Sequence, residues 1–223
     1  MLTLPTTSNE ISYQACCGKT LCAGCICEAL LADSRQLCPF CRIPFHKTDE
    51  EYTERLKKRA ATADVNAMRM LGCYYQDGEM GLPQDHAKAI ELWLRAGELG
   101  DAGSHHNVGN AYLHGLGVER DTTKATYYYE LAAMVGNVDA RHNLGIFEKN
   151  EGNMERAVKH FMIAAGAGCD DSLKQIRNCF TNGHATKDDF EKALRAHKEA
   201  KDEMKSDQRD AAIAARAVAH GQN

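Results

Sequence analysis

Between residues 64 and 200, apolar and small residues fall on two alternating kinds of stripe, each with the period of a helix buried along one side. In the first kind they stand four residues apart, as in Ala67, Leu71 and Tyr75, then Ser104, Val108 and Tyr112. In the second kind two alanines lie two helical turns apart, and a Lys or Arg precedes the first of them: Ala89, Ala125, Ala157 and Ala193. The dipeptides Leu71-Gly72, Val108-Gly109 and Leu144-Gly145 recur at steps of 37 and 36 residues, and Ile176-Arg177 follows after 32. Such a pattern predicts helix pairs repeated along the chain, not one mixed domain.

Each predicted pair carries its own punctuation. Asp64, Asp101 and Asn137 open the first helices with side chains suited to cap free backbone N–H groups. A glycine-containing loop turns the chain back; in the second unit it reads Gly115-Leu116-Gly117-Val118-Glu119-Arg120-Asp121. The second helix, Lys124 to Ala133 in that unit, closes on a glycine such as Gly100, Gly136 or Gly168. A glycine inside a helix costs about 1 kcal/mol against Ala, so those of the first helices need a reason. Close approach of two helix axes, with the aromatic residue three positions later filling the adjoining groove, is the expected one.

The order Ala, Leu-Gly, Tyr, Gly-x-Gly-Val-x-x-Asp, Lys-Ala and Ala-Ala-x-x-Gly resembles the Sel-1-like repeat, a relative of the tetratricopeptide repeat. It covers about 60% of the chain and is fullest in the second unit. The third unit runs Asn150-Glu151-Gly152-Asn153 in place of the long loop and has Glu148 where the others have Tyr75, Tyr112 and Phe180. In the fourth, Arg177 replaces the helix glycine, and this unit is expected to act as a cap. The resemblance implies a mostly α fold, an α-solenoid of helix-pair repeats that scaffolds other proteins, with a client protein or peptide on its concave face.

The cysteines divide into two groups. Seven of the ten lie between Cys16 and Cys41, whereas Cys73, Cys169 and Cys179 are scattered and read as small buried apolar residues. In the dense group, Cys22-Ala23-Gly24-Cys25 and Cys38-Pro39-Phe40-Cys41 are two Cys-x-x-Cys turns. Such a turn aims two thiolates at one point, and four thiolates in a tetrahedron satisfy zinc. Met1 to Glu10 lacks the positive charge and apolar stretch of a secretory signal, so a cytoplasmic or nuclear protein, not a secreted one, is expected. Thiols stay reduced there, and clustered cysteines more often bind metal than pair as disulfides.

The spacing of the dense group resembles the later part of a RING finger. Cys22 and Cys25 match that family's third ligand pair and Cys38 and Cys41 its fourth, while Lys19, which cannot coordinate when protonated, stands where a His ligand belongs. The resemblance implies a second zinc site of Cys16, Cys17, Cys38 and Cys41. The first ligand pair has no match, because no Cys precedes Cys16. Three explanations stand open: a chain truncated at its start, which is favoured because Met1 to Gln14 resembles the loop between pairs one and two; a single zinc held by Cys22, Cys25, Cys38 and Cys41; or recruitment of Cys27 or His46. Pro39 and Arg42 match positions that contact a ubiquitin-conjugating enzyme and its ubiquitin. A structural zinc knob is the preferred reading, with a RING-type ubiquitin-protein ligase, the repeats selecting its substrate, as the alternative.

Charge and composition exclude other classes. With 27 basic and 31 acidic residues the net charge is -4, which offers no attraction to polyanions, so no nucleic-acid partner is expected. The longest apolar runs, such as Phe161 to Ala165, fall far short of the roughly 18 to 20 residues of a membrane span, and no membrane partner is expected either. No phosphate-cradling loop, nucleophile elbow or paired acid and base is visible, which argues against a metabolic enzyme. His105, His106 and His142 read as surface or groove residues, Trp93 as core, and Tyr127-Tyr128-Tyr129 spans three helix faces with at least one ring exposed. The expected layout is a partial RING-like zinc module over 1–48, a solvated linking helix over 49–63 with Glu51–Arg55 and Glu54–Lys58 pairs, about four repeats over 64–203, and a helical or disordered tail over 204–223.

Overall fold

A computed structural model describes residues 11–22 and 37–204. It opens with a two-stranded antiparallel hairpin, β1 (Ile11–Gln14) and β2 (Lys19–Cys22), in register from Ile11 opposite Cys22 to Gln14 opposite Lys19. Helix α1 (Asp49–Ala60) follows. Four helix pairs come next: α2 (Val65–Asp77) with α3 (His86–Glu98), α4 (Ala102–His114) with α5 (Thr122–Met134), α6 (Val138–Asn150) with α7 (Met154–Gly166), and α8 (Asp170–Thr181) with α9 (Lys187–Met204). Each helix packs on the next in sequence, and α9 also returns to α7, so the pairs stack into an α-solenoid. Among the described residues no helix is long and apolar enough to cross a membrane.

The helices begin where short polar side chains sit. Asp64, Asp101 and Asn137 accept from the backbone N–H groups of Ala67, Ser104 and Ala140 at 3.1, 2.8 and 2.7 Å. The fourth unit breaks this rule, because Cys169 caps α8 through its sulfur, 3.4 Å from the N–H of Ser172. Cys169 is therefore a helix cap and not the small core residue expected; Cys73 is only partly buried, and Cys179 alone of the three is fully so. Gly100, Gly136 and Gly168 follow α3, α5 and α7 with φ of 93°, 92° and 91°, angles that a residue with a Cβ avoids.

The glycines within the first helices make room for the partner helix, as expected, and the group each accommodates is a ring of that helix. A Cβ on Gly109 would stand 2.7 Å from the ring of Tyr129, and one on Gly145 would stand 2.6 Å from that of Phe161; Trp93 lies over Gly72 in the same way. These rings come from the second helix of each pair and are almost wholly buried, Trp93 at 1% exposure and Tyr129 and Phe161 at 0%. The aromatic residues three positions after the glycines pack as expected, Tyr75 within the first apolar cluster and Tyr112 against the first and second, and each also receives a cation. Lys88 lies 4.4 Å from the centre of the Tyr75 ring, and Lys124 5.1 Å from that of Tyr112. In the third unit Glu148 replaces the aromatic residue, and the cation before its alanine, Arg156, forms an ion pair with it at 2.8 Å. The fourth unit loses glycine and ring together: Arg177 stands in α8, and His197, four residues after Ala193, bonds to Asp170 at 2.8 Å.

Helix α1 corrects a second expectation. Its Glu51–Arg55 pair forms at 2.5 Å, but Glu54 bonds to Lys57, not Lys58. One face is far from solvated: Tyr52, Thr53, Leu56 and Ala60 are buried, and the Thr53 hydroxyl donates to the carbonyl of Met80 at 2.9 Å. Tyr52, Leu56 and Ala60 join a single apolar cluster with Tyr13 and Ala15 of the hairpin and with Ala67, Met68, Leu71 and Trp93 of the first pair. Helix α1 is therefore an integral part of the solenoid's first layer, and the hairpin shares its core.

Candidate metal centre and repeat surface

Two turns present the cysteines. The hairpin turn holds Cys16 and Cys17, with the N–H groups of Cys17 and Gly18 donating to the carbonyl of Gln14 at 3.1 and 2.8 Å. Gly18 has φ +74°, and a Cβ there would run into the guanidinium of Arg59 and the carboxylate of Asp64. The second turn begins at Cys38, whose N–H donates to Ile43 at 2.9 Å, and closes where the N–H of Arg42 donates to the Cys38 carbonyl at 3.0 Å. Leu37 and Pro44 bridge its two ends.

These turns bring four sulfurs together. The Sγ atoms of Cys16, Cys17, Cys38 and Cys41 all lie within 4.8 Å of one another, and Cys17 and Cys38 are 3.8 Å apart. That distance is too long for a disulfide, which needs about 2.05 Å. It equals the edge, about 3.8 Å, of a tetrahedron whose centre lies about 2.3 Å from each sulfur, the zinc–thiolate bond length. Four thiols within 4.8 Å of one another are a donor set able to hold a metal ion, and the Cys17–Cys38 edge suits zinc.

The thiols of Cys16, Cys17 and Cys38 differ in acidity. Burial, then hydrogen bonds to Cys41 and Cys38, push the Cys16 thiol far up, and burial pushes that of Cys17 up as well. Burial acts in the same sense on Cys38, but the N–H groups of Cys41 and Phe40 outweigh it and bring this thiol down to about 7. Crowded, half-buried thiols ionise together only when a cation supplies the compensating charge.

The other expected site residues are placed as follows. Cys22 ends β2 with its side chain outside the described residues, and Cys25 and Cys27 lie outside them altogether. His46 stands apart from the four sulfurs, its ring tilted by 42° against that of Tyr52 with ring centres 4.4 Å apart, and burial followed by the charge of Arg55 lowers its basicity. Pro39 is half-buried in the second turn, and Arg42 is exposed directly after it with φ 59°.

A contact that sequence reasoning missed joins this centre to the repeats. The Arg59 Nε atom donates to the Tyr13 hydroxyl at 3.0 Å and to the Asp64 carboxylate at 2.8 Å, and Asp64 is the cap of α2. Burial and the Asp64 carboxylate hold the Tyr13 phenol well above its usual range. The one signal in the sequence was Gly18, whose lack of a side chain lets Arg59 cross the hairpin turn.

On the repeats, His142 bonds to the fully buried Ser172 of the next unit at 2.8 Å, and His106 lies 3.3 Å from Asn143. Both sit in grooves between units, as expected. Of the three tyrosines, Tyr129 is core, Tyr128 stacks on Tyr112, and Tyr127 is 54% exposed. Tyr127 lines the rim of a cavity of about 720 Å³ between the second and third pairs, over a floor of Leu113, Ile146 and Phe147.

The Sel1 repeat family model matches residues 65–101 and 102–137, the first two helix pairs with their loops. These residues are Sel1 repeats. A Sel1 repeat protein from Oxalobacter formigenes superposes with a TM-score of 0.60 at 27% identity, over 68% of this chain and 64% of that one. The c5321 antigen of uropathogenic Escherichia coli shares the fold, with a TM-score of 0.58 at 24% identity over 68% of this chain and 33% of that one. Among curated proteins, the Arabidopsis thaliana "ERAD-associated E3 ubiquitin-protein ligase component HRD3B" is 32% identical over 113 residues, 50% of this chain. The Schizosaccharomyces pombe "Chitin synthase regulatory factor 4" is 27% identical over 120 residues, 53% of this chain. The chain spans only 17% and 19% of the lengths of these two relatives. The molecule is a mostly helical solenoid with Sel1 repeats over residues 65–137 and, among the described residues, a cluster of four cysteines ahead of the first helix.

Proposed function

We propose that this protein is a zinc-binding interaction scaffold, in which the Sel1 repeats hold a client protein and Cys16, Cys17, Cys38 and Cys41 hold a structural zinc ion beside the first repeat. The observation that carries the reading is the convergence of four thiols from two turns at a spacing that suits zinc, on a hairpin that shares the first repeat's core. Zinc supplies the cross-link that so small a segment lacks in apolar core. The curated relatives are named as a component and as a regulatory factor, which accords with a protein that assembles others. Metal analysis of the purified chain tests the first half: about one zinc per chain is expected for this site, lost in Cys38→Ser. Cross-linking of the full chain in cell extract tests the second, with cross-links to a reproducible client expected on residues 65–204 and their absence ending the scaffold reading.

A RING-type ubiquitin-protein ligase is the second reading. It is favoured by Pro39 and the exposed Arg42 at the turn that carries Cys38 and Cys41, where a conjugating enzyme would dock. Ubiquitin chains formed with purified activating and conjugating enzymes, and reduced in Arg42→Ala, would support it. No chains with zinc-loaded wild type would retire it.

A further inference from the structure

The loops joining the two helices of each repeat differ in length, and the difference leaves a gap. In the second unit the loop leaves α4 at Gly115 and lays Leu116 and Val118 against the apolar cluster of the unit before. Gly117 passes so close to the first turn of α3 that a Cβ there would stand 2.5 Å from the Cβ of His86. In the third unit Glu151, Gly152 and Asn153 alone join α6 to α7, and a Cβ on Gly152 would meet no atom within 4 Å. Thr122 corresponds to His86, since each follows a capping aspartate, Asp121 and Asp85. The short turn does not cover that place. There the cavity of about 720 Å³ opens, between Thr122 and Thr126 of α5 and Ile146 and Phe147 of α6.

The chain itself shows what such a space takes. Its counterpart one repeat earlier is filled by a tight turn with two aliphatic side chains around a glycine, Leu116-Gly117-Val118. Leu113, Ile146 and Phe147, all half-buried, keep an apolar floor in the open one. Its wall has changed: Ile90 and Leu94 of α3 are replaced at the matching positions of α5 by Thr126 and Glu130. A second cavity of about 290 Å³ shares Thr126, Glu130, Phe147 and Glu151 with the first, so the two form one trough. Where they meet, Glu130 and Glu151 set two carboxylates on the rim; Arg120 is the cation of the larger cavity, and in the smaller one Arg156 is paired with Glu148 at 2.8 Å while Arg141 donates to the Ala133 carbonyl at 2.8 Å.

We propose that this trough is the docking site for a short segment of a client protein that takes the place of the missing loop: a turn bearing two aliphatic side chains around a glycine, followed by a basic residue that meets Glu130 and Glu151. Apolar anchors supply affinity, and the carboxylates select a cationic neighbour over an anionic one. The proposal rests on the reading of the repeats as a client scaffold, and it names the place and the chemistry of contact.

The test uses the full chain, labelled with nitrogen-15, and a synthetic peptide copying residues 115–118 with two lysines added. Amide shifts concentrated at Leu113, Thr126, Ile146 and Phe147 are expected, with affinity falling at least tenfold in Glu130→Lys and for a peptide with alanine at both aliphatic positions. In a second variant the seven residues 115–121 replace Glu151–Asn153, so that the chain fills its own trough. That variant should lose the peptide and the client cross-links while keeping its helical circular dichroism. Peptide binding unchanged by the graft, or no shifts at millimolar peptide, overturns the proposal. Client cross-links that survive the graft overturn the trough but leave the scaffold reading standing, whereas a wild-type chain with no client sinks both. Dimerisation of the wild type that Glu130→Lys abolishes would give the trough to a second copy of the chain and likewise overturn the client.

Discussion

The N-terminal segment and the helix pairs hold themselves together by different means. In the first three repeats a ring from one helix lies over a glycine of its partner, and each of those three pairs buries its own aromatic core. Before α1 the described residues bury little more than Tyr13, Gln14, Ala15 and Cys38, and what converges there is sulfur. A repeat can therefore be stabilised by apolar burial alone, whereas the cysteine segment needs a ligand or a neighbour. The structure provides both: four thiols for the one, and the Tyr13–Arg59–Asp64 contact for the other.

Chelation draws the sharpest line between the two regions. Structural zinc contributes about 10 to 16 kcal/mol of apparent binding free energy in small finger peptides, more than the segment's own packing can replace. Under the proposed zinc reading, a chelator should expose the amides of residues 11–22 and 37–46 to rapid hydrogen exchange while most of the helical circular dichroism survives. The boundary is expected to reach α1, because Tyr13 and Ala15 share its cluster. Collapse of the whole helical signal would erase the distinction.

A smaller effect probes the repeats from within. Phe161→Ala should cost about 3 to 5 kcal/mol, and Gly145→Leu, which drives a side chain into the Phe161 ring, about 1 to 3 kcal/mol. Because the two residues share one space, the double variant should lose less than the sum, as read by urea denaturation. Neither change should alter zinc content, and a loss of metal in either would show that the two regions are one cooperative unit.

The joint itself is tested by Arg59→Met. Removing the partly exposed guanidinium should cost about 1 to 2 kcal/mol and leave zinc bound. Exchange protection at the start of α2 should then fall and cease to respond to chelation. If protection at Asp64 and Ala67 still tracks the metal, the coupling runs by another route.

The smallest effect is one of pH. Burial lowers the basicity of His106 in its groove, against the pull of Asp139. The unfolded chain therefore takes up this proton at a higher pH than the folded one, so the contribution is complete above the ordinary imidazole value of about 6.5 and declines as pH falls below it. Thermal melts of His106→Gln should show a shallower loss between pH 6.5 and 5 than wild type. An unchanged slope would place the acid sensitivity elsewhere.

Most of the repeat architecture was legible along the chain. Caps, loop glycines and the spacing of Ala89, Ala125 and Ala157 act within one or two turns of helix, so sequence reasoning reads them directly, and all three alanines are buried at 1% or less. The Lys or Arg before each alanine was visible as a landmark, but its purpose was not, since Tyr75, Tyr112 and Glu148 reach it from another helix. Helix α1 was misread as solvated because its charged face is continuous in sequence, while its buried face needs Met80 and Tyr13 to become visible.

By itself the sequence determined a zinc-suited supply of thiols, a helix-pair period and the point at which each helix starts, because spacing and capping depend on near neighbours. Tertiary structure alone decided that Arg59 joins Tyr13 to Asp64, which ring each helix glycine accommodates, and that a shortened turn opens a trough beside Phe147. Those outcomes depend on which distant segments come to share one volume, and no periodicity in a single strand of residues carries that information.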